Sequence, residues 1–190
     1  MNLYIILFVY IVKPSKGSVS LNAEKINEYV SIHGNDLSRF CLFLCRNQSE
    51  AEDLYQDTWV KVIKKIDSYN SDKPFDKWVL SICSNTYKDK NRLHFVKKRF
   101  EFASPEDKQL FFDSIPDKGT PKEDYFELFK CLSMLTPKFK EVLVLKFIEG
   151  YTEIEVAAIL GIPNGTVKSR LNKAKQLLRG RLEKYEKSHR

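Results

Sequence analysis

The strongest constraint in this chain is the interruption at Gly161-Ile162-Pro163, set between two helical runs. The first run opens on "TEIE" (152–155), where Thr152 and Glu155 have the spacing of a reciprocal N-terminal cap. Gly161 suits the left-handed residue that ends such a helix, and a new helix is predicted from about Asn164. Two helices joined by a Gly-containing turn of about four residues make a helix-turn-helix. In that arrangement the second helix can lie in the DNA major groove while the first braces it. Ala157 is small enough for close helix approach, and Val167 is expected to pack between the two helices.

Along the second helix, Val167, Leu171, Ala174, Leu177 and Leu178 recur on one side. The other side carries Lys168, Ser169, Arg170, Asn172, Lys173 and Lys175. Ser, Asn, Lys and Arg reach base edges and phosphates, so these six are the candidate DNA contacts. Spacing alone does not divide them into base readers and phosphate holders. A basic surface helix on an ordinary bundle is the competing reading.

Charge distribution supports an anionic partner. The 190 residues carry a net charge of +7, unevenly spread. Residues 85–99 hold six bases against one acid, and residues 165–190 hold nine bases against two acids. Between them, residues 101–127 hold eight acids against three bases. Two cationic blocks separated by an acidic stretch suggest two contacts with one polyanion.

The rest of the chain reads as helix. Residues 22–46 repeat Ile26, Tyr29, Val30, Leu37, Phe40, Cys41 and Leu44 at helical spacing, with a kink or junction expected at "HGND" (33–36). A second helix is predicted over 49–67, capped by Ser49 and Glu52, with Leu54, Tyr55, Trp59, Val62, Ile63 and Ile66 inward. A third spans 75–95, with Phe75, Trp78, Val79, Ile82, Cys83, Thr86 and Tyr87 inward. Residues 100–121 lose periodicity and hold three prolines, reading as a linker. Beyond it, helices are predicted over 122–134 (with Phe126, Phe129, Leu132 and Leu135) and from Thr136-Pro137 to Gly150, the latter carrying Phe139, Val142, Leu143, Leu145 and Phe147.

Cys41, Cys45, Cys83 and Cys131 fall in apolar helical patterns. Cys41 and Cys45 sit at i, i+4, but only His33 is near enough in sequence to join them, so buried reduced thiols are expected rather than a metal site. A reducing cytoplasm fits. The apolar run "LYIILFVYIV" (3–12) is too short to span a bilayer, and its lysines follow it, unlike a signal peptide.

Two longer stretches carry a family resemblance. "LTPKFKEVLVLKFIEGYTEIEVAAILGIPNGTVKSRLNKAKQLLRGRL" resembles region 4 of extracytoplasmic-function sigma factors, which recognises the promoter minus-35 element. "AEDLYQDTWVKVIKKIDSYNSDKPFDKWVLSICSNTYKDKNRL" resembles region 2 of the same family, which binds core RNA polymerase and opens the minus-10 element. The resemblance implies an all-α chain of two small helical domains: region 2 over 21–99 and region 4 over 122–190. A flexible linker over 100–121 joins them, and residues 1–20 form an extension of unknown role.

It further implies that Asp53, Gln56 and Asp57, at i, i+3, i+4 on one helix face, dock on core polymerase. Lys73, Asn85, Lys88 and Arg92 take the minus-10 and strand-opening role. The implied partners are core polymerase, promoter DNA and an anti-sigma factor. No cofactor, metal, small-molecule substrate, catalysis or membrane insertion is implied. Two rivals stand beside this reading. A stand-alone helix-turn-helix regulator leaves the 51–99 block unused. A DNA-processing enzyme would draw Mg²⁺ to the Glu52, Asp53 and Asp57 face.

Overall fold

The computed structural model describes residues 19–45, 47–93 and 129–188, and every regular element among them is helical. The apolar run at 3–12, the 100–121 linker and Phe126 lie outside the described residues.

Region 2 is built from three helices: α1 (Val19–Leu44), α2 (Gln48–Lys65) and α3 (Phe75–Leu93). The junction between two helices allowed for at 33–36 is absent, because α1 continues through it as one helix. Gly34 is instead a packing residue. A Cβ there would meet the Tyr55 hydroxyl of α2 at 3.0 Å, so the missing side chain lets the two helices approach. The cap of α2 is also displaced from expectation. Asn47, not Ser49, is the N-cap, its side chain accepting from the Glu50 amide at 2.8 Å, while the Gln48 amide donates to Glu52. Leu37, Phe40, Leu54, Trp59, Val62, Val79 and Cys83 close the core of this unit.

A short 3-10 turn (Ile66–Ser68) leads into the loop before α3. Asn70 organises that loop: its side chain accepts the Asp72 amide at 2.9 Å, and its carbonyl accepts the Lys73 amide at 3.0 Å. The Tyr69 hydroxyl donates to the Lys73 carbonyl. Tyr69 in turn belongs to an aromatic group in which Tyr29 stacks on Phe75 at 3.8 Å and Trp78 lies 4.8 Å from Tyr69. His33 packs against Phe75 in the same group, away from the thiols.

Region 4 begins, among the described residues, with a helical segment at 129–133. Three further helices follow: α4 (Pro137–Leu143), α5 (Glu153–Leu160) and α6 (Asn164–Ser188). Thr136 and Pro137 start α4 as expected, with Pro at the first helical position where no N–H is needed. The regular helix predicted to reach Gly150 does not continue past Leu143. A π-helical turn at Val144–Ile148 replaces it. The wider turn sends Phe147 outward, 56% exposed, where Lys175 covers its ring at 4.9 Å. Phe147 is therefore not a core residue. Gly150, at φ 82°, closes the turn.

The interruption at Gly161-Ile162-Pro163 is built as expected. Thr152 and Glu155 form the reciprocal cap of α5, and Gly161 ends it at φ 64°, ψ 37°. An L-residue at Gly161 would meet nothing within 4 Å, so its cost would be that of the backbone alone, about 1 kcal/mol. Val167, Leu171 and Ala174 are buried, and Leu177 and Leu178 are half-buried against the same core.

The two units share one core. The α3 helix packs against α4 and α5, and α1 packs against α4 and the π turn. Phe40 through Cys45 are all buried, since region 2 covers one side of this end of α1 and region 4 the other. Phe43 stacks on Phe129 at 4.7 Å and an interplanar angle of 6°.

Candidate nucleic-acid and polymerase interface

The first turns of α6 hold most of the candidate DNA contacts. With Val167, Leu171 and Ala174 fixed inward, Lys168, Ser169, Asn172, Lys173 and Lys175 are exposed. Ser169 donates to the Thr166 carbonyl at 3.0 Å, which holds its hydroxyl close to the helix. Arg170 differs from the rest of the set. It is half-buried, and its positive charge acts on Glu141 of α4.

In region 2, Asp53, Gln56 and Asp57 share the exposed face of α2. Asp57 is paired with Lys90 of α3 at 2.7 Å, and Lys61 with Asp89 at 3.5 Å. These pairs are open to solvent and lend little stability, about 0–1 kcal/mol each. Each helix supplies one acid and one base to these pairs, Asp57 and Lys61 from α2 and Lys90 and Asp89 from α3. Lys73 and Asn85 are exposed, Lys88 is half-buried, and the Arg92 side chain lies outside the described residues. Lys73 belongs to the Asn70 loop, and Asn85 and Lys88 belong to α3. Phe75 is buried, and Trp78 is half-buried in the aromatic group.

Glu52, Asp53 and Asp57 do not converge on a metal site: among the described residues no group of three His, Cys, Asp or Glu side chains could hold an ion. Cys41 lies 3.6 Å from Cys83 rather than pairing with Cys45, and burial pushes the thiols of Cys41 and Cys45 up, away from the thiolate. None of the described helices is long and apolar enough to cross a membrane.

Sequence reasoning missed the polar residues where the two units meet. Arg39 of α1 grips Glu149 with two nitrogens, at 3.1 and 2.5 Å, and both side chains are largely buried. Lys140, 3% exposed, donates at 2.9 Å to the Leu44 carbonyl, one of the acceptors left open at the end of α1. The Tyr151 hydroxyl donates to Asp76 at 2.7 Å. Lys77 donates at 2.8 Å to Glu155, the same residue that caps α5. The Lys77 ammonium and the Thr152 donors pull the Glu155 carboxyl down to about 2. At the centre lies Glu141, fully buried, with neither oxygen hydrogen-bonded. Burial pushes its carboxyl up to about 7 against the pull of Lys88 and Arg170. The Ser84 hydroxyl lies near it and is itself buried without closing a hydrogen bond.

A helix-turn-helix with an exposed cationic second helix is thus joined to a helical unit whose α2 exposes Asp53, Gln56 and Asp57. Known proteins give the class. Residues 29–95 match Sigma-70 region 2, and residues 125–178 match Sigma-70, region 4. The chain is 33% identical over 166 residues to the ECF RNA polymerase sigma factor SigE of Mycolicibacterium smegmatis, covering 84% of this chain and 62% of that protein. It is 29% identical over 167 residues to the ECF RNA polymerase sigma factor SigW of Bacillus subtilis, covering 82% of this chain and 87% of the relative. The fold resembles that of the sigma factor RpoE of Bartonella quintana, crystallised with the anti-sigma factor NepR, at a TM-score of 0.66 and 24% identity over 84% of this chain and 98% of that one. CnrH in complex with the cytosolic domain of CnrY matches at a TM-score of 0.61 and 24% identity, over 83% of this chain and 87% of that one. The chain belongs to the sigma-70 family of RNA polymerase sigma factors, in its extracytoplasmic-function group, and carries regions 2 and 4.

Proposed function

We propose that the chain binds core RNA polymerase and places it at promoters, region 4 holding the minus-35 element and region 2 holding and opening the minus-10 element. The observation that carries this reading is the face of α6. Lys168, Ser169, Asn172, Lys173 and Lys175 stand exposed together on a helix that Val167, Leu171 and Ala174 lock in place. The units divide the work as 21–99 for region 2 and 122–190 for region 4, with 100–121 as tether. Lys73, Asn85, Lys88 and Arg92 supply the minus-10 contacts. The chain acts by binding, as a non-enzymatic polymerase subunit, in the cytoplasm where polymerase and promoters meet. An anti-sigma factor is the expected regulator, since the Bartonella relative of this fold was crystallised with one.

Region 2 separates this reading from that of a lone helix-turn-helix regulator, which has no use for an acidic face at Asp53, Gln56 and Asp57. Reversing one charge tests it. Asp57→Arg removes only an exposed pair with Lys90, so the fold is expected to survive. Affinity for core polymerase is expected to fall about thirtyfold or more, the scale of a reversed charge at an interface. Unchanged association by a folded Asp57→Arg chain would remove this face from the docking site.

A further inference from the structure

We propose that Phe147 is a positioning residue for DNA binding: its ring holds the Lys175 ammonium ready for a phosphate at the edge of the minus-35 element. The inference rests on the reading of region 4 as the unit that holds that element.

Phe147 stands where a phenylalanine gains little by burial. It is 56% exposed, on the outer side of the π-helical turn Val144–Ile148. The turn itself is firmly held. Val144 and Leu145 are buried at its start. At its end the Glu149 amide donates to the Val144 carbonyl and the Tyr151 amide to the Leu145 carbonyl, both at 3.0 Å. Gly150, at φ 82°, supplies the left-handed residue between those two closures. Single π turns of this kind recur at functional sites. Here the turn aims Phe147 at α6, where the Lys175 ammonium lies 4.9 Å from the ring centroid, within the reach of a cation–π contact.

The lysine's side of the contact is fixed as well. Ala174 is fully buried, which sets the rotation of α6 at Lys175. Lys175 lies about three turns into the helix, about 16 Å from Asn164 at about 1.5 Å per residue. A major groove is about 12 Å wide, so a helix that enters it by its first turns carries such a residue to the bordering phosphates.

A free lysine chain gives up rotamers when it binds a phosphate, and that loss weakens binding. An ammonium already seated on a ring has given up some of them beforehand. The ring face attracts the cation without accepting all of its hydrogen bonds, so N–H donors remain for the phosphate. Phe147 thus recruits the π turn, which lies outside the helix-turn-helix, to DNA binding without itself touching DNA.

A double-mutant cycle on minus-35 DNA, with the full chain at saturating core polymerase, tests the assignment. Phe147→Leu keeps an apolar side chain but has no π face, and Phe147→Tyr keeps the face. Phe147→Leu is expected to weaken DNA binding about two- to fivefold, the worth of an exposed cation–π contact. Phe147→Tyr is expected to restore the wild-type affinity. In a Lys175→Ala background, Phe147→Leu is expected to cause no further loss. Circular dichroism confirms folding of each variant. Phe147→Leu that binds as tightly as wild type overturns the proposal, because the lysine stem then merely covers the ring. Equal losses with and without Lys175 also overturn it, because the ring then acts alone. Lys175→Ala without effect overturns it too, and the reading of region 4 then stands if Asn172→Ala still weakens binding. If neither Lys175→Ala nor Asn172→Ala changes binding, the reading of region 4 fails with it.

Discussion

Replacing Glu141 with Gln is expected to stabilise the folded chain by about 3 kcal/mol above pH 7 and to leave it nearly unchanged below about pH 4.5. The carboxyl is raised from its ordinary value of 4.5 to about 7 by burial. Below 4.5 it is protonated in both folded and unfolded chains, so its full contribution is retained. As pH rises toward 7 the unfolded chain ionises first, and stability is lost progressively until the folded carboxyl ionises too. Lys88 from α3 and Arg170 from α6 face it and reduce the penalty without removing it. The gap between the two values, at about 1.4 kcal/mol per pH unit, gives the size of the effect. Urea unfolding of wild type and Glu141→Gln at several pH values between about 4.5 and 8 measures it. The difference between the two curves isolates this group from every other titration. A difference that stays constant with pH contradicts the burial of a charged Glu141.

The second large effect is on DNA. Asn172→Ala is expected to weaken promoter binding by the polymerase-bound chain by about 1–3 kcal/mol, roughly 5- to 150-fold, the worth of a side-chain pair to a base. Asn172 is uncharged and exposed in the early part of α6, where recognition helices meet base edges. Its loss releases no counterion, so the salt dependence of binding is expected to keep its slope. Lys175→Ala is expected to do the opposite, lowering the salt slope by about one while sparing sequence preference. Lys175 lies further along the helix, beside Phe147. Titrations on cognate and scrambled minus-35 DNA at several salt concentrations separate the two. A changed slope for Asn172→Ala would place that residue on the phosphates.

Much of region 4 was legible in the sequence because its signals are local. The Thr152–Glu155 cap, the left-handed Gly161 and the buried Val167, Leu171 and Ala174 depend on neighbours within a few residues. Gly34 misled because glycine serves both as a helix breaker and as a point of close approach, and only the position of Tyr55 decides between them. Ser49 misled for a similar reason, since Asn47 two residues earlier has the same capping chemistry. The contact between regions has its own pattern in the sequence. "FCLFLC" (40–45) and "VLVL" (142–145) are apolar on every side, more than a helix covered on one face requires. Arg39, Lys140, Glu141 and Glu149 look like surface charges until those runs are brought together. Arg170 shows the limit of helical spacing: it falls in the exposed set by sequence, yet its charge acts inward on Glu141.

The central claim is that this one chain directs polymerase to chosen promoters. Its most direct test is transcription in vitro with core polymerase on a supercoiled library of host promoters, with start sites mapped. The account predicts discrete start sites that depend on the added chain, fade with Asp57→Arg through lost polymerase binding, and fade with Asn172→Ala through lost promoter choice. RNA with no defined starts, or the same starts from core polymerase alone, would contradict it.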